Sequence, residues 1–306
     1  MLKGTIPEEF KDLGFGTKVT SQDGRLINKD GSFNVERKGL SHFDFYQWLI
    51  GISWWRFIFI VLVSYFFVNT FFAVIYVVVG VEHLTGIEGN TFEEKFFEAF
   101  FFSAQSLTTV GYGRISPVGF YASVVASIES MVGLLGFALA TGLMYGRFSR
   151  PAAKIIYSDK AIIAPYRGIT GFMIRIANAR KNQLIEVEAQ IAMTWIDKEK
   201  KLRQFEILKL ERSKINFLSL SWTIVHPIDE HSPLYHLTKE KLKEAKTEFI
   251  IMLKGFDETF SQTVYSRNSY LYSEMEWEAK FILAISDNGD GKARLDMDKI
   301  SAYEKV

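Results

Sequence analysis

Apolar residues are concentrated in the first half of the chain, where they form two long runs. The first run, residues 57–79, contains no charged residue. A helix over this run would be roughly 34 Å long, which is enough to cross the hydrocarbon core of a bilayer. A buried helix of a soluble protein is the alternative, but such a long helix without a polar face is unusual. The pattern therefore predicts a first membrane crossing.

The second run, residues 118–145, is interrupted by one ionisable residue, Glu129. It ends at a proline and a group of basic side chains, which are Arg147, Arg150, Pro151 and Lys154. Basic residues also precede the first run, whereas acidic residues dominate the stretch between the two runs. Because cytoplasmic flanks are enriched in Lys and Arg, we expect a multi-pass protein of the cell's inner membrane with both termini in the cytoplasm.

A shorter segment lies between the two predicted crossings. Residues 92–108 are long enough for a helix but too short to cross the bilayer and return, and they are followed by Thr-Val-Gly-Tyr-Gly at 109–113. This order predicts a re-entrant loop, in which backbone carbonyls from four copies can replace the water shell of a dehydrated K⁺ ion. Gly111 and Gly113 permit the positive φ angles that aim successive carbonyls at one axis. The expected K⁺ positions lie at Thr109, Val110, Gly111 and Tyr112.

An aromatic-rich stretch at residues 41–55 precedes the first crossing. Four of its residues share one helical side, namely Tyr46, Leu49, Ile50 and Ser53. We predict an interfacial helix along the membrane surface, since the neighbouring tryptophans favour that region. The alternative is that this stretch only extends the aromatic belt of the first crossing.

The character of the chain changes after residue 154. Apolar and polar residues alternate over 185–194, 218–224 and 276–281, and a period of two predicts half-buried strands. Several short strands separated by turns favour an antiparallel β-sandwich, with one short helix over 239–246. The expected organisation is a cytoplasmic N-terminal segment (1–40), the interfacial helix (41–55), a transmembrane pore domain (56–151) and a cytoplasmic β-sandwich domain (152–306).

Composition argues against several other classes of protein. The formal net charge is +1, so a nucleic-acid partner, which requires a strong basic excess, is not expected. The chain has no cysteine and therefore no disulfide framework or thiol nucleophile, and no signal-peptide pattern follows its first residues. His226 and His231 lack the spacing of a metalloprotease motif, and the sequence has no phosphate-binding loop or nucleophile elbow. We therefore expect neither an enzyme nor a covalent cofactor.

Four stretches match motifs of a known family. They read SLTTVGYG (106–113), NKDGSFNVERKG (28–39), RIANARKNQLIEVEAQ (175–190) and IVHPIDEHSPLY (224–235). They resemble the prokaryotic inward-rectifier potassium channels, the KirBac group. The resemblance implies an α-helical membrane pore domain with two transmembrane helices and a re-entrant pore helix, followed by an all-β immunoglobulin-like cytoplasmic sandwich. It also implies a homotetramer in which Thr109, Val110, Gly111, Tyr112 and Gly113 form the selectivity filter.

The resemblance assigns gating roles to three positions on the second crossing. Gly133 lies where the family's helix can bend, and Phe137 and Tyr145 match sites that narrow the inner pore. Four aromatic side chains meeting at such a site can close a pore by excluding water. Packing against lipid or a neighbouring helix is the alternative for both aromatic residues.

The resemblance also bears on block by internal cations. Glu186, Gly255 and Phe256 match positions that line the cytoplasmic pore. Strong rectifiers carry acids where this chain has Phe137 and Lys254, and those acids attract Mg²⁺ or polyamines. Because opposite charge offsets the dehydration of a multivalent blocker, we expect only weak block here, with Glu186 as the remaining acid. A solvated strand face is the alternative for Glu186.

Two further groups of residues remain. Four basic residues match family positions that contact anionic lipid head groups, and they are Arg56, Arg147, Arg150 and Lys154; basic clusters also follow from membrane topology alone. Glu129 is costly inside a bilayer and is therefore a functional candidate. We expect it to partner Gln105 or Ser103 and brace the pore loop, with a position facing the ion cavity as the alternative.

A membrane-anchored receptor with the β-sandwich as its ligand-binding domain is the competing function. It accounts for the two crossings and the sandwich. It gives no reason for the Thr-Val-Gly-Tyr-Gly sequence between the crossings.

Overall fold

The computed structural model describes residues 13–16, 24–36, 38–39, 44–149, 153–199, 201–287, 289 and 291–306. The chain forms two compact units. One unit comprises residues 39–150, and the other combines residues 1–38 with residues 151–306.

The unit formed by residues 39–150 is mainly helical. Its elements are α1 (Phe45–Gly51), α2 (Trp54–Val79), a 3-10 turn (Val81–His83), β1 (Leu84–Thr85), α3 (Phe92–Leu107), β2 (Ser116–Pro117) and α4 (Phe120–Phe148). Strands β1 and β2 pair antiparallel between the helices. Helices α2 and α4 are long and apolar enough to cross a membrane, and they coincide with the two apolar runs of the sequence. Helix α3 is the short helix predicted between them.

The helix boundaries follow from local chemistry. The Asp44 carboxylate accepts a hydrogen bond from the Gln47 N–H and caps α1. Ile52 is extended, with φ −68° and ψ 163°, so α1 ends before α2 begins. Thr91 and Glu94 form a reciprocal capping box at the start of α3, which satisfies N–H groups that the helix leaves unpaired. The stretch predicted as an interfacial helix thus contains a helix separate from α2, while its residues 41–43 lie outside the described residues.

The second unit is a β structure with one short helix. Its strands and helix are β3 (Ile155–Tyr157), β4 (Ala161–Tyr166), β5 (Ile169–Asn178), β6 (Leu184–Asp197), β7 (Leu202–Leu208), β8 (Lys214–Phe217), β9 (Ser221–Ile228), α5 (Lys239–Glu244), β10 (Glu248–Asp257), β11 (Gln262–Leu271), β12 (Met275–Trp277), β13 (Ala279–Phe281), β14 (Ile285–Asp287), β15 (Ala293–Leu295) and β16 (Tyr303–Lys305). Short 3-10 turns cover Tyr272–Glu274 and Met297–Lys299.

Two five-stranded sheets enclose the core of this unit. One sheet has the order β11-β10-β6-β7 with β8 added to β6, and the other has the order β12-β4-β5-β3 with β9 added to β5. Apolar side chains from both sheets pack in one cluster, in which the Phe172 and Phe249 rings stack 4.5 Å apart. The predicted sandwich and its short helix are therefore present, although β4 and β12 pair in parallel.

Two predicted strands differ from the structure. The alternation over 218–224 continues into β9, but that strand begins only at Ser221. The alternation over 276–281 is divided between β12 and β13, because Glu278 adopts a left-handed backbone with φ 51°. On either side of Glu278, β12 pairs with β4 and β13 pairs with β16.

Residues 24–36 pack within the β unit. The backbone N–H groups of Leu26 and Ile27 donate to the buried Glu248 carboxylate at the start of β10, at 2.8 to 3.4 Å. Arg203 lies 4.0 Å from the same carboxylate, and burial raises the pKa of Glu248. The Ser269 hydroxyl donates to the Ile27 carbonyl at 2.7 Å. This part of the predicted N-terminal segment therefore belongs structurally to the β-sandwich.

Candidate functional site

The loop that follows α3 is hydrogen-bonded to the last turn of that helix. The Thr109 N–H donates to the Ser106 carbonyl at 3.1 Å. The N–H groups of Val110 and Gly111 both donate to the Gln105 carbonyl, at 2.9 and 3.3 Å. These bonds extend the helix end into the loop, so the position of α3 fixes the position of residues 109–111.

The backbone of this loop alternates between two conformations. Thr109, Gly111 and Gly113 have φ angles of 60°, 53° and 82°, whereas Val110 and Tyr112 between them do not have positive φ. Alternation of this kind turns successive carbonyl groups toward the same side of the chain. Glycine adopts positive φ without a steric penalty, but Thr109 holds an unfavourable conformation, and such strain is concentrated at functional sites.

The chain beyond the loop is tied back to α3. The Arg114 guanidinium donates to the Gly86 carbonyl at 3.0 Å and lies 3.4 Å from the Glu98 carboxylate. Glu98 also accepts the Glu88 N–H at 3.0 Å. This pair was not predicted from the sequence, because an Arg and a Glu 16 residues apart give no helical or strand spacing.

Helix α4 approaches α3 closely at two positions one turn apart. Glu129 is fully buried, and its carboxyl group contacts the Ser103 hydroxyl on α3 and the Tyr76 hydroxyl on α2. A Cβ atom added to Gly133 would lie 2.1 Å from the Leu107 carbonyl oxygen. Of the two predicted partners of Glu129, the structure brings Ser103 to its carboxyl group, while Gln105 supplies its backbone carbonyl to the loop.

The two aromatic residues predicted at the gate lie further along α4. Phe137 is 74% exposed and Tyr145 is 75% exposed within a single subunit. They are eight positions apart, which separates them by about 80° around the helix. Both rings are therefore free to meet copies of themselves or another surface.

The four basic residues predicted at a lipid site have different surroundings. Arg56 and Lys154 are exposed and lie in different units, and Arg150 lies outside the described residues. Arg147 is engaged within its own unit. Its guanidinium donates to the carbonyls of Leu49, Ile50 and Ile52 and lies over the rings of Trp54 and Phe57, 4.7 and 4.6 Å from their centres. Arg147 thus holds the end of α1 against α4.

The residues predicted in the cytoplasmic pore meet at an irregularity between β6 and β10. The strand register shifts between Lys254 and Phe256, so Gly255 faces two residues of β6. Glu186 has φ 49° at this bulge, and an added Cβ on Gly255 would lie 3.2 Å from Val187. The irregularity is typical of a β-bulge, which redirects a side chain out of the regular strand alternation.

Lysines surround the acidic side chains near this bulge. Lys214 Nζ lies 3.6 Å from the Glu186 carboxylate and 3.5 Å from the Glu188 carboxylate. Lys254 Nζ lies 3.9 Å from Glu188. Glu188, Lys214 and Lys254 also line an open cleft of about 610 Å³ together with Lys209. Lys214 was not singled out from the sequence, because its approach depends on the pairing of β6 with β8.

Two family models match the chain, "Ion channel" over residues 51–150 and "Inward rectifier potassium channel C-terminal domain" over residues 155–306. The chain is 35% identical to the inward rectifier potassium channel Kirbac3.1 of Paramagnetospirillum magnetotacticum over 291 residues, covering 93% of this chain and 97% of the relative. It is 26% identical to the inward rectifier potassium channel irk-1 of Caenorhabditis elegans, covering 96% of this chain and 61% of that protein. A solved structure of Pseudomonas fluorescens alkylpurine DNA glycosylase AlkC matches with 7% identity over 61% of this chain and 48% of that chain, at a TM-score of 0.21.

Proposed function

The chain belongs to the inward-rectifier potassium channel family, a family of membrane channels and not of enzymes, and from that premise we propose that residues 109–113 form its K⁺ selectivity filter. The alternating backbone of Thr109, Gly111 and Gly113, directly after α3, is the observation that carries this proposal. A K⁺ ion leaving water needs a shell of oxygens, and rings of carbonyls from four subunits supply it. The K⁺ ions would lie at the carbonyls of Thr109, Val110, Gly111 and Tyr112.

The proposed assembly is a homotetramer in the cell's inner membrane with both termini in the cytoplasm. The family's channels are tetrameric and embedded in a membrane. Exposed filter side chains support subunit contacts in this chain, since Val110 is 53% and Tyr112 79% exposed in one subunit. The basic flanks of α2 and α4 support the orientation.

We place the gate at Phe137 and Tyr145 on α4, where four copies of each ring would meet around the pore. Apolar rings that approach one another exclude water and so stop ion flow. A second constriction is assigned to Gly255 and Phe256, beside the β6–β10 bulge. Gly133 remains the proposed bending point of α4, although its contact with Leu107 gives it a packing role as well.

Uptake of radiolabelled Rb⁺ into liposomes containing the purified protein tests the proposed function. We expect uptake driven by a K⁺ gradient, with Na⁺ unable to substitute for K⁺. Protein-free liposomes give the background. A membrane-anchored receptor would bind to the same liposomes and give no uptake above that background.

The basic residues lead to a prediction about lipid. Anionic head groups form charge-assisted contacts with Arg and Lys at the cytoplasmic membrane face. Replacing Arg56, Arg150 and Lys154 with Gln is expected to abolish any change in Rb⁺ uptake that phosphoinositide lipids produce. Arg147 stays in place in this variant because its guanidinium already holds the end of α1. An unchanged lipid dose response would assign the three residues to membrane topology alone.

The lysines beside Glu186 and Glu188 lead to a prediction about rectification. Lys214 and Lys254 place positive charge within 4 Å of Glu186 and Glu188, so the acids attract internal Mg²⁺ or spermine weakly. Lys214→Gln is expected to lower the spermine dissociation constant about threefold or more, since neighbouring unit charges interact by about 1 kcal/mol in water. Phe137→Asp is expected to steepen the voltage dependence as well, because it adds charge deeper in the pore.

Current–voltage recording in planar bilayers, with blocker on the cytoplasmic side, measures both effects. Lys198→Gln is the matched control, because Lys198 pairs with Glu244 at 2.7 Å on an exposed surface away from the bulge. Steep, high-affinity spermine block of the unmodified channel would contradict the prediction.

A further inference from the structure

Four polar side chains meet in the interior of the helical unit, where three helices touch. Asn69 and Tyr76 lie on α2, Ser103 on α3 and Glu129 on α4. Tyr76 is 1% exposed and the other three are fully buried within a single subunit. A group that is already inaccessible in one subunit does not face an ion cavity formed between four. The rival position for Glu129, facing the cavity, is therefore excluded.

The four side chains form a continuous series of hydrogen-bond contacts. The Tyr76 hydroxyl donates to Glu129 Oε2 at 2.6 Å. Ser103 Oγ contacts Glu129 Oε1 on one side and Asn69 Oδ1, at 3.1 Å, on the other. The Asn69 amide nitrogen donates to the Tyr65 carbonyl at 2.7 Å. Because that carbonyl can only accept, the amide oxygen of Asn69 must be the atom that faces Ser103.

The number of hydroxyl protons available in this series determines the protonation state of Glu129. Ser103 has one hydroxyl proton but two neighbouring oxygens that both need a donor. If Glu129 is an ionised carboxylate, either its own Oε1 or the Asn69 oxygen is left without a partner in a buried site. If Glu129 is a neutral carboxylic acid, it donates to Ser103, and Ser103 donates to Asn69. Every oxygen is then satisfied, and no bare charge lies inside the bilayer.

The series of four side chains is connected to the proposed filter through α3. Ser103 lies two residues before Gln105, whose carbonyl accepts the N–H groups of Val110 and Gly111. One turn beyond Ser103 and Glu129, Gly133 meets the carbonyl of Leu107. The contacts of Ser103 with α2 and α4 therefore fix the end of α3 to which the proposed filter is hydrogen-bonded.

We propose that Tyr76, Glu129, Ser103 and Asn69 form a proton-satisfied relay in which Glu129 is a neutral carboxylic acid and acts as a positioning residue for the selectivity filter. The positioning role rests on the proposed function of residues 109–113. The protonation state rests on the relay geometry alone.

Glu129→Gln, Glu129→Leu and Ser103→Ala test the proposal. Glutamine has the same shape, and its amide donates to Ser103 while its oxygen accepts from Tyr76, so K⁺/Na⁺ discrimination in the flux assay is expected to stay within about twofold of the unmodified channel. Leucine and Ser103→Ala leave buried partners unsatisfied, and discrimination is expected to fall about tenfold. Ser130→Ala, an exposed position on α4, is the control and is expected to change nothing.

Infrared difference spectra of the purified tetramer report on the proton directly. The unmodified protein is expected to show the C=O stretch of a buried carboxylic acid, and Glu129→Gln is expected to remove it.

A spectrum in which Glu129→Gln does not remove this band overturns the assignment of Glu129 as a neutral acid, whatever ions the protein conducts. Glu129→Gln with the same loss of discrimination as Glu129→Leu overturns the positioning role. If Glu129→Leu does not assemble, Ser103→Ala, which removes one oxygen, tests the positioning role in its place. Unchanged K⁺/Na⁺ discrimination in Ser103→Ala then overturns that role. An unmodified protein that does not discriminate between K⁺ and Na⁺ refutes the proposed function and leaves the infrared result to stand.

Discussion

Gly111→Ala is expected to abolish selectivity for K⁺ over Na⁺ while the tetramer persists. Gly111 has φ 53°, and no atom lies within 4 Å of the Cβ that alanine would add in one subunit. The effect is therefore conformational, at about 1 kcal/mol or more for each residue forced into the left-handed region. Four subunits carry that strain in one ring. The strain free energy summed over the four subunits is well above ~1.4 kcal/mol, which corresponds to a tenfold change in an equilibrium. The backbone is therefore expected to relax into a conformation whose carbonyls no longer point at the axis.

Rb⁺ uptake in competition with K⁺ and Na⁺, together with size-exclusion chromatography, measures this result. Gly168→Ala is the matched control. Gly168 has φ 84° and equally open surroundings, but it lies in the turn between β4 and β5 of the β-sandwich. Alanine there adopts a strained left-handed backbone outside the proposed filter sequence, so discrimination is expected to be unchanged. Retained K⁺/Na⁺ discrimination in Gly111→Ala would refute the filter assignment.

Much of the architecture could be predicted because each element carries its own local signal. The charge-free run at 57–79 defined α2, and the alternation at 185–194 defined the larger part of β6. The Thr-Val-Gly-Tyr-Gly loop was recognisable from its motif and its place between two predicted crossings. The positive φ expected at Gly111 and Gly113, which glycine tolerates freely, is present in the structure. These features depend on residues that are neighbours in sequence.

The remaining features depend on residues that the fold brings together from distant parts of the chain. Glu129 could be singled out as an acid inside an apolar run, but its partner Tyr76 is 53 residues away and gave no signal by itself. Asn69 was a weak clue, since it is a polar residue within the first apolar run, two turns before Tyr76. Arg147 was assigned to a lipid site because it matches a lipid-contact position of the family, and its hydrogen bonds in the structure go to carbonyls at the end of α1. The sequence at the end of one helix does not show which carbonyls of another helix its side chains will contact.

The same limit applies to Gly133. The family resemblance implied a bending point there, and the structure shows a close approach of Gly133 to the Leu107 carbonyl. Gly133→Ala is expected to lower the thermal stability of the tetramer strongly and to disturb K⁺ selectivity. The new Cβ would lie 2.1 Å from the Leu107 carbonyl oxygen and 3.0 Å from its Cα. These are backbone atoms at the end of α3, so no flexible side chain can move aside. Overpacking of this kind costs about 1–3 kcal/mol per site, and the proposed homotetramer would repeat that cost in each of its four subunits.

The helix offers a matched control one turn away. Gly136 lies on the same helix, and no atom lies within 4 Å of the Cβ that alanine would add there, so Gly136→Ala adds the same methyl group and the same helix propensity without a clash. Thermal unfolding and Rb⁺/Na⁺ flux of the two variants separate packing from bending. A bending role without the packing contact predicts that Gly133→Ala assembles with normal stability and selectivity and only opens less often. The contact with Leu107 predicts lower stability in Gly133→Ala but not in Gly136→Ala. Only in Gly133→Ala must α4 move away from the end of α3, which precedes the proposed filter.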